Sequence, residues 1–198
     1  MRARTLNRTA IMAVLRALVV CTPGAGADPA VAPLPRDSVY QLDARMTDQA
    51  GQPRAFGSLR GRARVVTMFY TSCQLVCPLI VERVRTIEKA LTSRELERVG
   101  LVLISMDPLR DSPEALRRVM EERRLDASRW TLLRPDPADL RALAGVLGVR
   151  YRELEDGEFN HTTALVLLDA DGRIVARTDQ VSAGRDAEFV AAVRAAAR

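Results

Sequence analysis

The apolar positions of this 198-residue chain fall into short blocks that alternate between two periods. Ala63-Arg64-Val65-Val66-Thr67-Met68-Phe69-Tyr70 is β-branched and aromatic, which predicts a buried central strand. Leu101 to Met106 repeats that pattern and predicts a second. Between them Ile80, Val84, Ile87 and Leu91 recur at helical spacing, while Glu82, Arg83, Arg85 and Glu88 take the polar face. Ser112-Pro113-Glu114 reads as an N-cap followed by proline at the first helical position, opening a helix to about Arg123. Trp130 to Leu133 predicts a short strand. Asp136-Pro137 repeats the cap signal for a helix lined by Leu140, Leu143 and Leu147 and ended by Gly148. His161 to Leu168 predicts a strand, Asp169-Ala170-Asp171-Gly172 a hairpin turn, and Arg173 to Arg177 the returning strand. Glu188 to Arg198 closes as a helix, and Val39 to Met46 reads as a short leading strand before the turn Asp48 to Gln52.

Helices between successive strands imply right-handed crossovers and a partly parallel sheet. The terminal hairpin makes that sheet mixed. The expected fold class is α/β, with a mixed central sheet, flanking helices and a terminal β-hairpin. No internal repeat and no second domain is visible in the pattern.

The N-terminal segment has a different character. Arg2, Arg4 and Arg8 precede a mostly apolar run, Ala10 to Val20, interrupted by Arg16. Ala25 and Ala27 then give the small-x-small pattern of a secretory cleavage site. The run is shorter than the roughly 20 residues of a spanning helix. Residues 1–27 are expected to be an export signal, residues 28–37 a proline-bearing linker, and residues 38–198 the folded domain. Leu18-Val19-Val20-Cys21 matches a lipoprotein box only loosely, because Val20 is large where a small residue is expected. Export places the domain in the bacterial periplasm or cell envelope, soluble or weakly membrane-associated.

Charge changes meaning once that segment is set aside. The whole chain carries a formal net charge of +5, which alone suggests an anionic partner. Residues 1–27 hold four arginines and no acid, so the remainder has 26 basic and 25 acidic residues. No run of like charge remains to grip a phosphate backbone, and no nucleic-acid partner is expected.

The same removal takes Cys21 away and leaves Cys73 and Cys77. Both lie in Thr71-Ser72-Cys73-Gln74-Leu75-Val76-Cys77-Pro78, where the first buried strand gives way to its helix. Pro78 fits a first helical turn, which puts Cys77 at or near the N-cap, where free N–H groups and the helix dipole favour a thiolate. A helical turn would bring the two side chains together as a disulfide, as inert thiols, or as a grip for a soft metal such as Cu(I). His161 is the only histidine and opens a strand next to a loop, where α/β proteins place function. Two thiolates and one imidazole suit copper in either oxidation state and fall one ligand short of structural zinc. Asp107 is the one candidate for a fourth ligand.

Three segments together resemble the Sco (SenC) family of copper chaperones for cytochrome c oxidase assembly. They are Phe69 to Pro78, Ser105-Met106-Asp107-Pro108-Leu109-Arg110-Asp111-Ser112-Pro113, and His161-Thr162-Thr163-Ala164 before a strand ending in Asp169-Ala170-Asp171-Gly172. The resemblance spans about residues 38–195. It implies a thioredoxin-like fold with Cys73, Cys77 and His161 as copper ligands. It also implies delivery of copper to the binuclear site of oxidase subunit two, or reduction of that site's cysteines. Asp107, Arg110 and Asp111 match the family's acidic-basic segment, although Ser112 as a helix cap and Asp111 near the helix dipole give that segment a structural role as well.

The chain departs from the family pattern in two places. Gln74-Leu75-Val76 stands where members often carry Pro-Asp after the first cysteine, and Asn160 stands where they often have an acid before the histidine. Both changes alter the surroundings of the ligands. Members are also commonly tethered by an N-terminal membrane helix, which the pattern does not supply. Beside the chaperone stands an enzymatic alternative, an envelope thiol–disulfide oxidoreductase using Cys73 and Cys77. A peroxidase is disfavoured because no threonine-proline-cysteine turn occurs. Other copper chaperones or thioredoxin-like reductants would be the upstream partners, and another cuproprotein the alternative recipient.

Overall fold

The computed structural model describes residues 32–73, 76–179 and 186–198. The export signal and residues 28–31 of the linker predicted from the sequence lie outside the described residues. No helix among the described residues is long and apolar enough to cross a membrane.

Residues 33–198 form one compact unit. In chain order its strands and helices are β1 (Arg45–Asp48), β2 (Pro53–Ala55), β3 (Ala63–Phe69), α1 (Val76–Ala90), α2 (Ser93–Arg98), β4 (Val99–Ser105) and α3 (Pro113–Glu122). There follow β5 (Trp130–Pro135), α4 (Leu140–Val146), β6 (Tyr151–Glu153), β7 (Phe159–His161), β8 (Leu165–Leu168), β9 (Ile174–Thr178) and α5 (Ala187–Ala196).

The central sheet has seven strands in the order β2-β1-β5-β4-β3-β8-β9. Its middle is parallel, with β3 against β4 and β4 against β5, and its flanks are antiparallel. All seven residues of β3 and all seven of β4 are buried. Successive side chains of a strand point to opposite faces, so burial of both sets means both faces are covered. From α1, Ile80, Val84 and Ile87 are fully buried in the core. At about 1.5–3 kcal/mol for each large apolar side chain taken from water, this layer holds the ends of β3 and β4 in fixed register.

Three of the predicted elements differ from the sequence pattern. The stretch Val39 to Met46 does not run as one strand: Val39–Gln41 is a 3-10 turn, and β1 starts only at Arg45. The Ser38 hydroxyl accepts the Tyr40 N–H and turns the chain there. The helix expected from Asp136 begins at Leu140 instead, because the Asp136 carboxylate accepts the Ala138 N–H and forms a turn. Asp139 sits at the N-cap, but its carboxylate is taken by the Arg45 N–H at 2.8 Å. The strand expected over His161 to Leu168 is two strands. Phe159–His161 pairs with β6 in a separate two-stranded sheet, and Leu165–Leu168 pairs with β3 and β9. Ser112 and Pro113 behave as read, the Ser112 hydroxyl accepting the Ala115 N–H at the start of α3.

Candidate metal centre

The parallel strands β3 and β4 end side by side, and the Met106 N–H donates to the Phe69 carbonyl at 2.8 Å. Loops at the carboxyl ends of parallel strands are where such sheets carry their chemistry. The loop after β3 brings Cys73 and Cys77; the loop after β4 brings Asp107, Arg110 and Asp111.

Cys73 and Cys77 are both buried, and no disulfide joins them. The Cys77 N–H, in the first turn of α1, donates to Cys73 Sγ at 3.2 Å, so the first cysteine acts as a sulfur cap for the helix that carries the second. The Tyr70 N–H donates to Cys77 Sγ at 3.5 Å. A small cavity of about 60 Å³ opens beside the two sulfurs, bounded also by Tyr70, Pro78, Val119 and Glu122. The helix start was expected to favour a thiolate at Cys77. Burial dominates instead and pushes the Cys77 thiol well above its ordinary value, with Cys73 and Asp111 raising it further and only the Tyr70 N–H opposing.

His161 is the last residue of β7. Its Nδ1 lies 3.3 Å from the Thr162 carbonyl. A carbonyl only accepts, so Nδ1 carries the proton in this contact and Nε2 is left as the ligand-competent nitrogen. Burial lowers the imidazole pKa, and the Thr162 carbonyl partly counteracts that. Near neutral pH the ring is therefore uncharged, the form a metal takes.

The structure brings the two thiols together but does not complete the three-ligand set. Among the described residues no three His, Cys, Asp or Glu side chains converge closely enough to hold a metal ion. Tyr70 stands at the junction. Its ring meets the His161 ring edge-on at 6.0 Å, and its hydroxyl donates to Glu158 Oε2 at 2.7 Å. Burial, Glu158 and then Cys73 all hold that hydroxyl well above the ordinary tyrosine range. Asp107 does not reach in as a fourth ligand, because its buried carboxylate is paired with Arg110. Asp111 is fully buried and accepts from Thr71 N (3.1 Å), from Thr71 Oγ1 (2.5 Å) and from Ser105 Oγ (2.5 Å). It thus ties the start of the cysteine loop to the end of β4.

Tyr70, Ser105, Glu158 and Phe159 are site residues the sequence pattern did not single out. Tyr70 offered a signal: a hydroxyl-bearing aromatic at the very end of a buried strand, beside the cysteine loop, needs a polar partner.

The donor set nevertheless fits a soft metal. Two neighbouring thiols at the β3–α1 junction and a neutral imidazole at the end of β7 are copper-type ligands. A reduced pair of buried thiols between a central parallel strand and its helix, in a mixed sheet with helices on both faces, defines a thioredoxin-like dithiol protein. The chain belongs to the SCO1/SenC family, whose family model matches residues 36–198. A Stutzerimonas stutzeri protein named for proposed copper binding is 30% identical over 146 residues, covering 71% of this chain and 69% of that protein. The structure of Bradyrhizobium japonicum ScoI with copper bound superposes with a TM-score of 0.64 at 27% identity, over 77% of this chain and 95% of that one. BsSco is described as a member of the Sco family of cytochrome c oxidase assembly proteins in which a disulfide switch was identified. It shares the fold, with a TM-score of 0.67 at 20% identity over 77% of this chain and 90% of that one.

Proposed function

We propose that this protein is an envelope copper chaperone that carries one copper ion on Cys73, Cys77 and His161. It would deliver the ion to the copper site of a respiratory cytochrome c oxidase or to another cuproprotein. The observation that carries this reading is the buried, unbridged thiol pair at the strand–helix turn, with the chain's single imidazole on the adjoining hairpin. Membership of the SCO1/SenC family and the copper-bound relative support the choice of metal. Copper is cargo here. The thiolates would hold it as soft anionic donors and His161 Nε2 as a neutral third. Asp111 and Tyr70 would keep the cysteine loop in place without touching the ion.

The test is copper titration of the reduced protein beside Cys73→Ala, Cys77→Ala and His161→Ala. One copper per chain, with binding lost in the cysteine variants, is expected. Undiminished stoichiometric binding in those variants would overturn the ligand assignment. Because burial keeps Cys77 protonated, binding copper as a Cys77 thiolate must release that proton. Copper affinity should therefore fall by about tenfold for each unit that pH drops, read as proton release by calorimetry in buffers of different ionisation enthalpy.

A thiol–disulfide oxidoreductase remains the second reading, favoured by the contact between the Cys77 N–H and Cys73 Sγ, which places the two cysteines as an attacking and resolving pair. Efficient turnover of a disulfide substrate by His161→Ala, with no copper bound by the parent, would select it.

A further inference from the structure

The hairpin that carries His161 is not part of the main sheet. Strands β6 and β7 have three residues each and pair only with one another. A two-stranded ribbon of that size is marginal in water, so its place must be set by groups reaching it from the body of the protein. Arg110, on the loop after β4, reaches every part of it. Its Nη2 donates to the Gly157 carbonyl in the turn and lies 3.8 Å from Glu153 Oε1 on β6. Its guanidinium stands 5.6 Å from the centre of the Phe159 ring on β7. Behind it, the buried Asp107 carboxylate accepts from Nε and fixes the plane of the group. The turn is shaped around this contact. Gly157 has φ +79°, and a Cβ there would come within 2.6 Å of Arg110 Nη1. Phe159 in turn meets the Tyr70 ring edge-on at 5.1 Å, two residues before His161.

We propose that Arg110 is a positioning residue that clamps the β6–β7 hairpin and so sets where the His161 imidazole can stand relative to Cys73 and Cys77. The inference rests on the reading of His161 as the third copper ligand. Arg110 touches neither thiol in the contacts described and would not touch the ion; it acts through the hairpin. The interaction needs the planar fork of a guanidinium, since one group must serve a carbonyl, a carboxylate and a ring face together.

The test is a double-mutant cycle on the full chain, read as copper affinity by competition with a chromophoric chelator. Arg110→Gln is expected to weaken binding by about 10- to 100-fold, the scale of losses beyond the ligand shell. In a His161→Ala background the same change is expected to cost less than about twofold, because the clamp has nothing left to position. Arg110→Lys keeps a cation beside Asp107 but lacks the fork, and should retain most of the loss. Copper-free protein gives a second readout: amide exchange at Leu154 and Phe159 should quicken in Arg110→Gln while β3 and β4 stay protected. Equal losses in both backgrounds, full rescue by lysine, or unchanged hairpin exchange would each overturn the proposal. Affinity indifferent to His161→Ala would instead overturn the reading it rests on, that His161 is the third ligand.

Discussion

Cys77→Ala is expected to abolish stoichiometric copper binding at micromolar protein, and Cys73→Ala to do the same. A structural zinc site with four ligands binds with roughly 10–16 kcal/mol, so one thiolate accounts for about 3 kcal/mol and its loss for at least about a 100-fold weaker complex. The loss should exceed that figure here, because a soft monovalent metal is left with a single thiolate and one neutral imidazole in place of two thiolates. The fold should survive. Cys77 is a small buried side chain whose sulfur accepts the Tyr70 N–H at 3.5 Å. Truncation there should cost on the order of 1 kcal/mol, typical of single substitutions. Cys77→Ser gives a second arm with nearly the same volume and no soft ligand. Circular dichroism would confirm folding, and chelator competition would read the affinity. His161→Ala should weaken binding less than either cysteine change, since it removes a neutral donor that does not converge with the two sulfurs among the described residues. A histidine variant as damaging as the cysteine variants would mean that the imidazole anchors the ion as firmly as the dithiol does.

How much of this was legible before the structure depends on whether the signal is local. Strands β3 and β4 were visible because burial on both faces forces an unbroken apolar run, and α1 because its core face recurs at helical spacing. The cysteine pair was visible for the same reason, as four residues of spacing at a strand–helix junction need no tertiary information. Helix α2 was missed although Thr92 and Glu95 form a capping box, because it buries no side chain and so leaves no apolar stripe to read. The break between β7 and β8 was hidden inside an apolar-looking run. What ends that run is tertiary: the Thr67 hydroxyl donates to the Ala164 carbonyl, and the Thr162 N–H returns to the Arg150 carbonyl. The groups that place His161 lie farther still, with Tyr70 and Glu158 separated by 88 residues and Arg110 and Gly157 by 47. No periodicity or cap rule connects such positions. The acidic-basic segment could be read either as helix cap or as site, and the structure gives its members different jobs. Ser112 caps α3, Asp111 holds the cysteine loop, and Asp107 orients Arg110.

Asp111→Ala is expected to be the most destabilising single change outside the apolar core. The carboxylate is fully buried and accepts from three donors, the Thr71 amide, the Thr71 hydroxyl and the Ser105 hydroxyl. Removing it strands those donors, and at about 1–3 kcal/mol for each buried group left unsatisfied, less the desolvation the carboxylate itself no longer suffers, a net loss of roughly 2–4 kcal/mol follows. For a domain of this size that lowers the melting temperature by roughly 5–15 °C, measurable by calorimetry. Asp111→Asn separates hydrogen bonding from charge. Its amide oxygen still serves Thr71, but its NH₂ faces a Ser105 oxygen that already accepts the Asp107 N–H, so a smaller loss of about 1–2 kcal/mol is expected. The sign of the pH dependence follows from burial, which raises the Asp111 pKa against the opposing pull of Ser105 and Thr71. A carboxyl raised in the folded state binds more protons folded than unfolded. Its contribution is fully present below the ordinary carboxylate pKa and is lost as pH rises through the raised one. The stability of the parent relative to Asp111→Asn should therefore decline from about pH 4 upward. A difference that grows with pH would show that the hydrogen bonds outweigh burial at this carboxylate. Because Thr71 lies two residues before Cys73, the alanine variant should also lose about tenfold or more in copper affinity through drift of the cysteine loop. A destabilised variant that binds copper as tightly as the parent would show that the dithiol turn is held by α1 alone.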